Sequence, residues 1–180
     1  MKKLKKAIGI ISGMGPEASQ HFYKLLISYA QKDYQVEKNE DFPEIYLASI
    51  PVPDFISDEK REKEALEMLE NRVMEMDKLP ISFFCMACNT GHLLINKLRK
   101  QTEKPFVSLI EEVPRFIKKQ KIKKIEDNKI LIQQIAKRLL RLGAEGIIES
   151  CTEIPLIFPK QHLVPVFDTL EILAEAVLKK

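Results

Sequence analysis

The sequence predicts an α/β protein built on parallel sheet, and three observations carry that expectation. Short apolar runs that read as buried strands recur at 7–11, 45–50, 81–86, 106–109 and 146–149. Most are separated by longer segments whose apolar residues step by three and four, as one face of a helix does. Proline, glycine and small polar residues punctuate the joints. Strands alternating with helices in this way give a parallel sheet with covering helices.

The first strand, 7–11, ends in a glycine-rich turn. Pro16 suits the first turn of the next helix, which carries Phe22, Leu25, Leu26 and Tyr29 on one face. The second strand, 45–50, is stopped by Pro51-Val52-Pro53, a segment that cannot continue a ladder. Asp58 is the expected cap of a charged helix with the buried stripe Leu66, Leu69, Val73 and Met76. The third strand is 81–86, a helix is expected over 92–100, and a fourth strand over 106–109 follows Pro105. Residues 111–119 look helical and 122–125 start like a strand. The chain then runs straight into 126–142, a helix with Leu131, Ile135, Leu139 and Leu142 on one side. Beyond the fifth run, 164–167 look extended, and Asp168 with Glu171 makes a capping pair for a last helix ending at Lys180.

Composition narrows the function classes. A chain of 180 residues, 45% hydrophobic and 31% charged, can bury a real core. The net charge of +3 implies no broad nucleic-acid-binding face. The run Lys118, Lys119, Lys121, Lys123 and Lys124 reads as a solvated face or loop. The basic start is followed by too short an apolar run for a signal peptide, and no stretch approaches membrane-spanning length. Three cysteines do not make a disulfide framework. The expectation is a cytoplasmic protein with no membrane or nucleic-acid partner.

Two of those cysteines stand in matching settings. Cys88, in Ala87-Cys88-Asn89-Thr90, follows the third strand; Cys151, in Ser150-Cys151-Thr152-Glu153, follows the fifth apolar run. Both should project from carboxyl ends of strands, where open α/β sheets bind ligands. Each is followed by small polar residues rather than more apolar ones. Two thiols facing one substrate from opposite sides is an arrangement for proton transfer.

Together with the N-terminal Ser12-Gly13-Met14-Gly15-Pro16-Glu17, these motifs resemble the aspartate/glutamate racemase family, in particular its aspartate-racemase-like branch. That family has a Gly-Met-Gly turn, a Cys-Asn-Thr-x-His motif and a Gly-Cys-Thr-Glu motif in the same order. Ser12 stands here where the family usually has Gly, Gly91 where Ala is usual, and Ser150 where Gly precedes the second cysteine. The resemblance implies two pseudo-symmetric, Rossmann-like parallel-sheet lobes with the active site between them. The first would comprise 1–103 plus 162–180 and carry Cys88; the second, 104–161, would carry Cys151. It further implies a cofactor-independent racemase of a small amino acid, aspartate or glutamate, commonly a homodimer. A member of the family would place another strand, a threonine-rich ligand loop and a helix–strand pair between Ile125 and Glu126. That piece is larger than one βαβ unit of roughly 30 residues. Either the second lobe is pared down or a segment is omitted, and the abrupt passage from a strand-like run into a helix favours omission.

A thiol pair suits such a reaction. Without an imine cofactor, removal of an α-proton needs a strong local base and fields that stabilise the developing charge. Cysteine titrates near ~8.5 when free, and a helix N-terminus or adjacent donors bring it into a usable range. In one direction Cys88 takes the proton and Cys151 returns one; in the other the roles reverse. Asn89, Thr90 and Thr152 supply donors and acceptors for the substrate carboxylate and amine. The Ser12-Gly13-Met14-Gly15 turn offers backbone N–H groups, and the resemblance assigns ligand contact to these same positions. Glu153 either orients Cys151 or the substrate amine, or is structural. His92 either bonds the cysteine turn or caps its helix. Glu149 and Ser150 have no role in this reading.

Other readings stay open. Cys85, inside its strand, reads as a small hydrophobe, and Cys85-x-x-Cys88 is not a redox pair of the kind that opens a helix. Gly13-x-Gly15 lacks the third glycine of a dinucleotide site. A structural zinc site could be assembled from Cys85, Cys88, His92 and Cys151, although a strand turns residues three apart to opposite sides. A racemase-shaped binding protein without activity is favoured if the second lobe is truly short. In aspartate-specific members of the family an arginine follows the Pro-Asp of the loop after the second strand and grips the side-chain carboxylate. Here Phe55 follows Pro53-Asp54. The substrate is therefore either a dicarboxylate held from elsewhere or an amino acid with a neutral or apolar side chain.

Overall fold

The structure, a computed structural model, describes residues 4, 6–119, 136, 138–149 and 164–180. Four of the apolar runs form one sheet from β1 (Ile8–Ser12), β2 (Ile45–Ser49), β3 (Phe83–Met86) and β4 (Phe106–Val107), in the order β2-β1-β3-β4 with every neighbouring pair parallel. The residues of β3 explain why the run is apolar throughout. Phe83, Cys85 and Ala87 enter one core with Ile8 and Ile10, whereas Phe84, Met86 and Cys88 enter a second with Ile11. Successive side chains point to opposite faces, and both faces are covered.

The first core is closed by α1 (Pro16–Tyr34), the second by α2 (Glu62–Asp77). Proline opens α1 as expected, and the helix buries Ala18, Ser19, Phe22, Leu26 and Ala30, leaving Leu25 and Tyr29 half-buried at the stripe's margin. In α2 the buried positions are Ala65, Leu69, Val73 and Met76, so Ala65 takes the place expected of Leu66. A small residue lets the helix start lie close to the sheet. Asp58 caps not α2 but the 3₁₀ turn Glu59–Arg61 before it, its Oδ1 accepting the Lys60 N–H at 3.1 Å.

Two further boundaries differ from expectation. The helix expected over 92–100 is broken into a 3₁₀ turn (Thr90–Leu94), the single turn α3 (Ile95–Leu98) and a second 3₁₀ turn (Arg99–Gln101). The fourth strand stops at Val107 because the Ser108 carbonyl accepts N–H groups from Glu111 and Glu112, which starts α4 (Leu109–Lys119) two residues earlier than expected. Phe106 and Val107, expected in the second lobe, pair with β3, so the first sheet extends past residue 103.

A second, two-stranded parallel sheet joins β5 (Ile147–Glu149) to β6 (Val166–Asp168), with Glu149 opposite Asp168. Asp168 then caps α5 (Thr169–Leu178), accepting N–H groups from Leu170 at 2.7 Å and Glu171 at 3.4 Å. The face of α5 carrying Leu170, Leu173, Ala174 and Val177 packs into the first core, against α1 and α4. Residues 138–141 are helical, and Leu139 and Leu142, expected on the helix's apolar side, are exposed. The strand-like run at 122–125, the Ile125–Glu126 junction and most of the 126–142 helix lie outside the described residues. No helix among the described residues is long and apolar enough to cross a membrane.

Candidate active site

From β1 the chain steps outward to β2 on one side, while β3 and β4 lie on the other. In an open parallel sheet the crevice beyond the carboxyl ends of the strands at such a reversal is where ligands bind. Three segments meet there, each the continuation of one strand: Gly13–Gly15 after β1, residues 52–55 after β2, and Cys88 with Thr90 after β3. They enclose a cavity of about 300 Å³, at the small end of the range for ligand sites.

The β1 turn is fixed by its own backbone. Gly13 has φ of 98°, and a Cβ there would lie 2.3 Å from the Ile50 nitrogen, so the position admits only glycine. Its N–H donates to Ser19 Oγ at 2.9 Å, and that hydroxyl donates in turn to the Gly15 carbonyl at 3.0 Å. The Gly13 N–H, expected to face a ligand, is thus used within the turn. Ser19, the fourth residue of the helix that follows, closes this loop, a role the sequence reading did not give it; its position one turn after a glycine-rich bend is the signal. The Met14–Gly15 peptide is cis. Ser12 is fully buried and does not line the cavity, since its hydroxyl donates to the Ala48 carbonyl across β2 at 2.9 Å.

Cys88 is held at two points, its sulfur and its carbonyl. The Gly91 N–H donates to its sulfur at 3.3 Å, a bond that favours negative charge there. Its carbonyl lies 2.6 Å from His92 Nδ1, and His92 Nε2 accepts the Leu109 N–H at 3.1 Å. Because Nε2 accepts, the proton sits on Nδ1 and the ring is neutral. Burial lowers the pKa of His92, which keeps it so. His92 therefore bonds the cysteine turn and pins it to the start of α4. The same tight turn that aims the Gly91 N–H at the sulfur is what breaks the expected helix. Gly91 also makes room, since a Cβ there would come within 2.4 Å of Met86 Sδ and 3.2 Å of Met14 Cε.

A model of the Asp/Glu/Hydantoin racemase family matches residues 11–126, which takes in all three segments. The chain belongs to that family. It is 27% identical over 143 residues to the broad-specificity amino-acid racemase RacX of Bacillus subtilis, an alignment covering 79% of this chain and 56% of that protein. The chain thus spans little more than half the length of this curated relative. Its fold is that of an aspartate racemase homologue from Pyrococcus horikoshii OT3 (TM-score 0.75, 22% identity, 99% of this chain and 98% of the other). The aspartate racemase of Picrophilus torridus is similar too (TM-score 0.73, 22% identity, 97% and 93%).

Of the other residues singled out in this racemase-family sequence, Thr90 lines the cavity and Asn89 does not. Asn89 gives its carbonyl to the His92 N–H, and its buried Nδ2 has no hydrogen-bond partner among the described residues. Cys151, Thr152 and Glu153 lie outside the described residues. Cys85 is fully buried, and burial pushes its thiol pKa far up, so it behaves as the small hydrophobe expected. It faces the first core while Cys88 faces the second, which removes Cys85 from a shared zinc site with Cys88. The loop contributes Val52, Pro53, Asp54 and Phe55 to the wall; of these only Phe55 was weighed for a role in binding from the sequence.

Proposed function

We propose that this member of the racemase family inverts a free amino acid at Cα by a two-thiol mechanism, without pyridoxal phosphate or a metal. Cys88 removes or returns the α-proton on one face and Cys151 acts on the other. The observation that carries this reading is the setting of Cys88. Its sulfur receives a backbone N–H, at the wall of a cavity at the carboxyl ends of three parallel strands. A thiolate is the competent base, and a donor on sulfur stabilises it. Thr90 and the Met14–Gly15 backbone line the same cavity, which supports a role for them in gripping the substrate carboxylate and amine. Cys151, Thr152, Glu153 and Asn89 enter on their sequence motifs and the family resemblance. So do the homodimer and the cytoplasmic setting, and the resemblance alone favours aspartate or glutamate as substrate.

The test is proton exchange in heavy water. Replacing either cysteine by serine should lower inversion by on the order of 10²–10⁴, because an alcohol is far too weak a base at neutral pH. The remaining thiol should still exchange the α-proton of the enantiomer it faces. One single variant should label mainly the L-amino acid and the other mainly the D-form, and the double variant neither. Labelling of the same hand in both, or inversion surviving Cys151→Ser, would sink the two-thiol mechanism. Binding of amino acids with no exchange at all would leave a binding protein of racemase fold.

A further inference from the structure

We propose that the cavity selects an amino acid with an uncharged, apolar side chain, and that the 52–55 loop, through Phe55 and Val52, sets this preference. The proposal rests on the racemase reading and names its substrate class. Of the cavity's described lining, Met14, Val52, Pro53 and Phe55 present hydrocarbon or thioether, and no lysine or arginine is among these residues. Phe55 is buried in the second core beside Ile11 and Ala65, so its ring is fixed rather than free to swing aside for a charged group. The single ionisable group of the loop has the wrong sign for an acidic substrate. Asp54 Oδ1 accepts the N–H groups of Ile56 at 2.9 Å and Ser57 at 3.2 Å, which anchors a carboxylate at the cavity wall.

Consider the two candidate side chains in that place. A second carboxylate on the substrate would leave water for an apolar wall, with an anion nearby and no cation among the described lining residues; burial of an unpaired charge is heavily unfavourable. An isobutyl or thioether side chain loses no hydrogen bond on entry and gains contact with the ring and the valine. The invariant part of any amino acid, its α-carboxylate, amine and α-hydrogen, falls to Cys88, Thr90 and the backbone of the β1 turn, which line the same cavity. The wall therefore separates chemistry common to all amino acids from contacts that choose among them.

The experiment uses the full chain with leucine, methionine, aspartate, glutamate and lysine. It measures kcat/KM for inversion by chiral chromatography and, separately, equilibrium binding by calorimetry. Leucine or methionine should exceed aspartate and glutamate at least tenfold in kcat/KM or, should nothing be inverted, in affinity. A preference for aspartate, glutamate or lysine overturns the substrate class while leaving a racemase. Binding of leucine or methionine without inversion or exchange overturns the racemase reading and keeps the substrate class. No binding of any of the five overturns both. Phe55→Arg should raise aspartate relative to leucine by tenfold or more. Val52→Arg, at a half-buried position less able to disturb the core, should move the ratio the same way and decides the matter if Phe55→Arg does not fold. A folded Val52→Arg protein with the ratio unchanged overturns the role of the loop.

Discussion

The carboxyl ends of β3 and β5 each lead into a sequence segment that is polar and carries a cysteine motif, yet their electrostatic settings differ. At the end of β3 the groups are neutral or N–H donors: the Gly91 N–H on the Cys88 sulfur, and His92 held neutral between Cys88 and Leu109. At the end of β5 carboxyl groups accumulate. Glu149 is 6% exposed and lies opposite Asp168 across the parallel pair, and burial with the charges of Asp168 and Glu171 pushes its pKa up to about 7. One of its oxygens has no hydrogen-bond partner among the described residues. Asp168 caps α5 with its carboxylate, and the Leu170 and Glu171 N–H groups it accepts oppose its own protonation. The first end is prepared to receive negative charge; the second already holds it and retains a proton in consequence.

The largest effect should come from replacing in turn the thiol inside β3 and the one just past its end. Cys88→Ser should lower inversion by on the order of 10²–10⁴, the usual contribution of a positioned base, with the fold intact. Cys85→Ser places a hydroxyl in the first core, and should cost about 1–3 kcal/mol of stability while the folded fraction keeps its activity. Denaturant melts alongside rates separate the two; equal losses of activity per folded molecule would mean that the opposite facing of the two residues has no functional meaning.

Gly13→Ala should destabilise by about 2–4 kcal/mol, combining a left-handed φ with a Cβ driven against the Ile50 backbone. A melting temperature within a degree or two of the parent would show that the turn relaxes instead. His92→Ala should follow at about 1–3 kcal/mol, since the Leu109 N–H and the Cys88 carbonyl lose their shared buried partner. Were the ring only filling space, a leucine there would restore stability; we expect it not to, and urea denaturation of both variants decides.

What was legible in the sequence follows from how local each cause is. Four of the apolar runs pair in parallel as alternation with helices implies, and β1 and β3, buried on both faces, are written as continuous apolar runs. Pro16 at the start of α1 and Asp168 at the start of α5 act within one turn of themselves, and both were readable. The break in the 92–100 segment was not, because it depends on the Gly91 N–H turning to sulfur and on His92 reaching Leu109, seventeen residues away. Ser12 misled for a related reason: its hydroxyl is spent on Ala48, a neighbour created only by the register of β1 with β2. Ala65 rather than Leu66 faces the sheet because helix orientation is set by what the helix lands on. Phe55 was readable as an apolar residue in a ligand loop, whereas the contribution of Val52 and Pro53 to the same wall needed the loop's path.

The smallest expected effect tests the comparison itself, through opposite dependences on pH. For His92 the folded pKa is depressed below its ordinary value near 6.5, so its share of stability is present above that value and is lost as pH falls. For Glu149 the folded pKa is raised from 4.5 to about 7, so its share is present below about 4.5 and is lost as pH rises towards 7. Between these limits the two slopes oppose each other and the parent protein's stability should vary little. Glu149→Gln keeps the shape and removes the titration. The variant should gain on the parent as pH rises from 5 to 7, by no more than about 1.4 kcal/mol per pH unit for a single proton. On acidification it should then lose stability more steeply than the parent, because the His92 contribution is no longer opposed by Glu149. Denaturation midpoints of both proteins at pH 5, 6, 7 and 8 make the comparison. Parallel profiles would mean that Glu149 titrates as an ordinary surface carboxylate, and that the end of β5 carries no excess of buried charge.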